Sequence, residues 1–193
     1  MALGRVIRRV RRGRPDAIGA NGEPATHRTI KIEVNGRMVE REVEVRRTLG
    51  DFLREDLDLT ATHFGCEHGV CGACTIQLDG QIVRSCLLLA VQADGRSVRT
   101  LEGMAGTEDE LHPIQQAFWD HKGQQCGFCT PAMILATEDF LRRNPNPTRE
   151  EVREGMAGNI CRCTGYQFIV DSIMAAAEAL REEGGGPPSG DAT

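Results

Sequence analysis

Eight cysteines carry the chemistry open to this sequence, and they fall into two groups: Cys66, Cys71, Cys74 and Cys86, then Cys126, Cys129, Cys161 and Cys163. Thiolates bind zinc, build iron-sulfur clusters or pair as disulfides. A disulfide framework calls for a secretory leader, yet Arg8-Arg9 and Arg11-Arg12 are followed by Gly, Arg, Pro and Asp instead of an apolar run. The expected compartment is therefore the reducing cytoplasm, where clustered cysteines bind metal or do redox chemistry.

The first group is spaced C-x4-C-x2-C followed by x11-C, and the opening stride is that of plant-type [2Fe-2S] sites. Three ligands so close together force the chain to wrap one centre with its amides aimed at the sulfurs, while the fourth arrives from a neighbouring strand. Gly65, Gly69 and Gly72 interleave with the cysteines, and glycine allows positive φ and close backbone approach to inorganic sulfide. Zinc is the alternative, but zinc ribbons favour two C-x2-C pairs, which the stride from Cys66 to Cys71 does not match. The second group is C-x2-C followed, after 31 intervening residues, by C-x-C. Zinc accepts that spacing too; a first cluster in the same chain favours a second. Each pair stands where a helix is expected to begin, at Cys129-Thr130-Pro131 and Cys163-Thr164-Gly165, and free amides with a positive dipole end suit an anionic centre.

The elements that must hold these groups differ along the chain. Residues 29–34 alternate polar and apolar, Asn35-Gly36 supplies a type I′ turn and 38–45 alternates again, which predicts a β-hairpin. Thr48 caps a predicted short helix carrying Leu49, Phe52, Leu53 and Leu57. A second hairpin is expected over 73–78 and 81–85 around Asp79-Gly80, with one more strand at 97–101. Beyond Glu102 the signals predict helices at about 113–121, 131–143, 148–155 and 166–182, with Pro113 and Pro131 in first turns, Thr130 and Thr148 as N-caps, and a capping box from Thr148 to Glu151. The expected organisation is a basic arm over 1–27 with a hinge at 19–22, an α+β domain over 28–103, a helical domain over 104–183 and a disordered Gly/Pro/Ser-rich tail over 184–193.

Composition excludes other classes. Apolar residues make up 40% of the 193 and no run approaches a membrane span. Six arginines within the first fourteen residues leave 17 bases against 28 acids in the remainder; an acidic body with no aromatic interleaving repels nucleic acid. No nucleophile-base set, phosphate loop or dinucleotide fingerprint is present. His63, His68, His112 and His121 are surplus as ligands beside two complete cysteine sets, with His68 placed to hydrogen-bond near the first. Phe118 and Trp119 read as a subunit contact.

The segments Gly65-Cys66-Glu67-His68-Gly69-Val70-Cys71-Gly72-Ala73-Cys74, Gln125-Cys126-Gly127-Phe128-Cys129-Thr130-Pro131 and Gly158-Asn159-Ile160-Cys161-Arg162-Cys163-Thr164-Gly165-Tyr166 closely resemble the signatures of the small iron-sulfur subunit of molybdenum hydroxylases, a family that includes xanthine dehydrogenases, aldehyde oxidoreductases and carbon monoxide dehydrogenase. The resemblance spans about residues 28–183 and matches all eight ligand positions. It implies an α+β chain with a plant-ferredoxin-like (β-grasp) N-terminal domain and an all-α four-helix bundle, each holding one [2Fe-2S] cluster. It also implies that Gln125 and Cys163 approach a molybdenum-pterin on a large partner subunit, that electrons pass from the helical-domain cluster to the ferredoxin-like one and on to FAD on a medium subunit, and that the complex is a dimer of heterotrimers. Ala132, where relatives commonly carry glycine, and Phe168, where many carry a smaller or polar residue, depart from the pattern beside the second site.

Three functions follow: an electron-transfer subunit of such a complex, a free two-cluster carrier, or a zinc-stapled interaction module. The first is favoured, since a diffusing carrier has little use for the helical half. The substrate is not encoded in this chain.

Overall fold

A computed structural model describes residues 26–104 and 110–182; the arm up to residue 25, its hinge and the 184–193 tail lie outside the described residues. Strand β1 (His27–Val34) and β2 (Arg37–Glu44) pair antiparallel along their full length. The turn between them has positive φ at both Asn35 and Gly36, the geometry that a type I′ turn requires. Thr48 caps α1 (Leu49–Asp51), its hydroxyl accepting from the Asp51 amide. The helix then widens into a π-helical stretch over Phe52–Asp56, whereas the sequence predicted a plain short helix; Leu49, Phe52 and Leu53 are buried by it as expected. β3 (Thr75–Leu78) and β4 (Gln81–Arg84) form the second hairpin, again with positive φ at both turn residues, Asp79 and Gly80.

β5 (Ser97–Arg99) runs parallel to β1 and antiparallel to β3, closing a sheet ordered β2-β1-β5-β3-β4. One face covers a core of Ile30, Ile32, Leu49, Phe52, Ile76 and Val98. β3 is buried along its whole length: Ile76 and Leu78 enter that core, and by alternation Thr75 and Gln77 face the other way, toward the helices.

Four helices follow: α2 (Pro113–Asp120), α3 (Thr130–Arg143), α4 (Arg149–Gly155) and α5 (Gln167–Glu182). The Thr148-Glu151 capping box opens α4 with reciprocal bonds. At α3 the cap is Cys129, with no side-chain cap bond, and Thr130 is the first helical residue rather than the predicted N-cap. The helices share a second, separate core built on Ile114, Phe118, Met133, Leu141, Ile169 and Ile173. Phe118 is core and only Trp119, at 65% exposure, is available as a contact, so the expected pair divides by helical phase. α3 also lies against β3 and β4. There Glu138, buried, accepts from Gln77 at 2.7 Å and from Arg99 at 2.8 and 3.0 Å. No helix among the described residues is long and apolar enough to cross a membrane.

Candidate metal centres

Residues 63–72 form a loop with positive φ at Glu67, Gly69 and Gly72. It curls back so that the Cys71 amide donates to Cys66 Sγ at 3.4 Å. That amide, and then the amide of His68, hold the Cys66 thiol down at about 6. Cys74 closes the loop at the entry to β3, and Cys86 arrives from the turn after β4. Both the Ser85 amide (3.2 Å) and the Ser85 hydroxyl (2.9 Å) donate to the Cys74 carbonyl, which fixes that approach. Burial first, and then the neighbouring Cys74 thiol, push Cys86 up to about 11. Cys66 thus lies against the Cys71 backbone, and Cys86 beside Cys74. His68 hydrogen-bonds the Cys66 carbonyl through Nδ1, near the site and not in it.

The second group has an exposed pair and a buried pair. Cys126 and Cys163 are both exposed, with sulfurs 3.3 Å apart. The Phe128 amide and then Cys163 lower Cys126, while donation to Cys126 raises Cys163. Behind them Cys129 and Cys161 are buried. Burial, and then the neighbouring Cys161, drive Cys129 up to about 12. Burial would raise Cys161 as well, but bonds from the Thr164 hydroxyl (3.2 Å) and backbone outweigh it and lower that thiol. Tyr166, at φ +69°, turns its hydroxyl to accept the Cys161 amide at 3.1 Å. Cys129 directly precedes α3 and Cys163 stands four residues ahead of α5, so each pair adjoins the start of a helix. Gln125 is exposed beside the exposed pair.

Among the described residues no three His, Cys, Asp or Glu donors close on a single ion. The structure also shows what the sequence reading missed. His63 stacks on Phe128 with ring centres 4.8 Å apart and bonds the Phe128 carbonyl at 2.7 Å, so this surplus histidine ties the first loop to the second. The Ile160 amide donates to the Cys71 carbonyl at 2.9 Å, a contact for which the sequence holds no periodic signal.

Residues 32–100 match the family described as "2Fe-2S iron-sulfur cluster binding domain", and residues 100–174 match "[2Fe-2S] binding domain". The nicotine 6-hydroxylase small subunit of Paenarthrobacter nicotinovorans is 49% identical over 162 residues, covering 84% of this chain and 97% of that one. The caffeine dehydrogenase subunit gamma of Pseudomonas sp. (strain CBB1) is 50% identical over 151 residues, covering 77% and 90%. The chain belongs to the small iron-sulfur subunits of the molybdenum hydroxylases. Among solved structures, quinoline 2-oxidoreductase from Pseudomonas putida 86 matches with TM-score 0.78 and 49% identity over 82% of this chain and 98% of that one. As an iron-sulfur subunit of this family, the protein is the electron-transfer component of an oxidoreductase complex, and its sheet with appended helices is the α+β fold expected.

Proposed function

We propose that this subunit holds two [2Fe-2S] clusters, one on Cys66, Cys71, Cys74 and Cys86 and one on Cys126, Cys129, Cys161 and Cys163. The observation that carries this is that the fold brings the members of each set together, with the Cys71 amide on Cys66 Sγ and Ser85 fixing Cys86 beside Cys74 at one site, and the Cys126 and Cys163 sulfurs 3.3 Å apart in front of buried Cys129 and Cys161 at the other. A second observation fits the helical site: Thr130, adjoining Cys129 and buried, has a hydroxyl with no protein partner among the described residues, and a hydroxyl in that position needs an acceptor such as cluster sulfur.

When bound, each cluster supplies a one-electron site, the helical one facing a molybdenum-pterin on a large partner and the ferredoxin-like one facing FAD on a medium partner. This chain's residues make the connection. Cys126 and Cys163 form the outward edge of the helical site, with Gln125 beside them positioned to hydrogen-bond a pterin. Exposed Phe128, Ile160, Tyr166 and Phe168 give the same region an apolar surface suited to a large partner. Exposed Val70, Leu87 and Leu89 do so near the ferredoxin-like site. Between the sites, the Ile160-to-Cys71 bond joins the residue before Cys161 to a carbonyl of the other set.

The helical half is read as the four-helix bundle of the family, and the assembly as a dimer of heterotrimers in the cytoplasm, where free thiols stay reduced. The relatives named for nicotine, caffeine and quinoline make an N-heterocycle the substrate class to screen first. The test is metal analysis of the anaerobically purified chain: about four iron and four acid-labile sulfide are expected with two distinct reduced-state signals. Stoichiometric zinc without sulfide overturns the reading.

A further inference from the structure

The two cysteine loops are bound to one another by a polar network that neither site needs for ligation. The Ile160 amide donates to the Cys71 carbonyl, and the preceding residue, Asn159, donates from Nδ2 to the next carbonyl, Gly72, at 3.1 Å. Adjacent residues of one loop thus take adjacent carbonyls of the other. Asn159 Nδ2 also reaches the Thr75 hydroxyl at 3.3 Å, and that hydroxyl donates onward to the Gly72 carbonyl at 2.6 Å. Arg84, at the end of β4, closes the set. One guanidinium nitrogen donates to the Thr75 hydroxyl; the other donates to the Gly158 carbonyl at 2.6 Å and to Asn159 Oδ1 at 3.4 Å.

Asn159 and Thr75 are buried, and the Asn159 amide is used at both its nitrogen and its oxygen. A satisfied network in a low-dielectric interior permits one arrangement and penalises departures from it. The approach of the loops also requires glycine: a Cβ at Gly72, where φ is +77°, would stand 2.5 Å from the Gly158 carbonyl and 3.0 Å from Asn159 Cα. Apart from the room for cluster sulfide that the sequence suggests, this glycine makes room for the other loop.

We infer that the Arg84–Asn159 clasp is a positioning device for electron transfer: it fixes the separation and relative orientation of the two cysteine sites and leaves the properties of each site alone. The inference rests on the two-cluster reading above. Its competitor is plain adhesion between the halves, and the Glu138 contact with Gln77 and Arg99 serves as the control, because it joins the halves through no residue of either cysteine loop.

The experiment uses the full chain loaded with iron and compares Asn159→Ala, Arg84→Lys and the control Glu138→Gln with the parent. Arg84→Lys is the milder change, removing the fork that reaches two acceptors at once while keeping the charge. Iron content, the two midpoint potentials and the magnetic interaction between the two reduced clusters are measured, the last because dipolar coupling falls with the inverse cube of separation. The expected result is full iron content, unshifted potentials and partial or complete loss of the interaction splitting in Asn159→Ala and Arg84→Lys, with the splitting unchanged in Glu138→Gln. An unchanged splitting in both clasp variants overturns the inference, as does loss of a cluster from both, which makes the network a scaffold for assembly. A parent chain that shows no iron-sulfur signal at all brings down the two-cluster reading itself.

Discussion

At the scale of single residues, the thiols divide into an accessible pair, Cys126 with Cys163, and pairs set deeper in the chain. Cys74 and Cys129 are both buried members of their sets, so a hydroxyl in either place removes a ligand without opening the surface. Cys74→Ser is expected to abolish one reduced-state paramagnetic signal and Cys129→Ser the other, each leaving its counterpart; if both signals vanish with either change, the sites form one cooperative unit. Gln125 belongs to the outward edge. Gln125→Ala should slow cluster reduction by substrate in the assembled complex several-fold, the size of a lost hydrogen bond of about 1 kcal/mol, and leave flavin reoxidation unaffected. Rapid mixing with substrate gives the first rate, and reoxidation by an external acceptor gives the second. The reverse pattern, a slowed flavin step with unchanged bleaching, inverts the proposed order of clusters. The cysteines and their neighbours were legible because ligand spacing is a local property of the chain. Arg84, Asn159 and Glu138 were not: Glu138 meets Gln77 61 positions away, Arg84 meets Gly158 across 74 and Asn159 meets Gly72 across 87, and nothing beside any of them in the sequence points to such a partner.

Among the elements, those whose signals are local came through. Asn35-Gly36 and Asp79-Gly80 located both hairpins, and the Thr148-Glu151 box located the start of α4. The misses arose where tertiary packing overrode local preference. Cys129 took the cap of α3 from Thr130, and the helix after Thr48 widened into a π turn while still burying Phe52 and Leu53. The parallel pairing of β1 with β5 joins strands more than sixty positions apart and left no trace in either strand's pattern. α3 has polar duties beyond helix packing, the most deeply set being that of buried Glu138, which receives Gln77 and Arg99 from the sheet. Glu138→Gln keeps the volume and removes the charge. It should destabilise the chain by about 1–2 kcal/mol, below the roughly 3–5 of a fully buried pair because Arg99 retains access to water. A lowered chemical-denaturation midpoint at unchanged slope is the expected readout, and an unmoved midpoint would mean that the contact contributes nothing.

As a whole molecule, the protein is two hydrophobic cores joined by a polar seam, with a cysteine site on each side of it. The basic arm was set apart by composition, and the hydrogen bonds described at both sites come from residues 63–166. Deleting residues 1–20 should therefore leave iron content and both reduced-state signals at parental values; failure of the truncated chain to take up iron would make the arm structural. The backbone contact at Gly72 has a further meaning for how such proteins are put together. The halves are matched parts rather than interchangeable modules: a ferredoxin domain transplanted onto this helical half must bring a glycine to that position, whose carbonyl takes the Asn159 amide, and a hydroxyl like that of Thr75 beside it. A graft that lacks them could fill both cysteine sets with metal and still leave them as strangers, two loaded carriers in one chain with no fixed path between them.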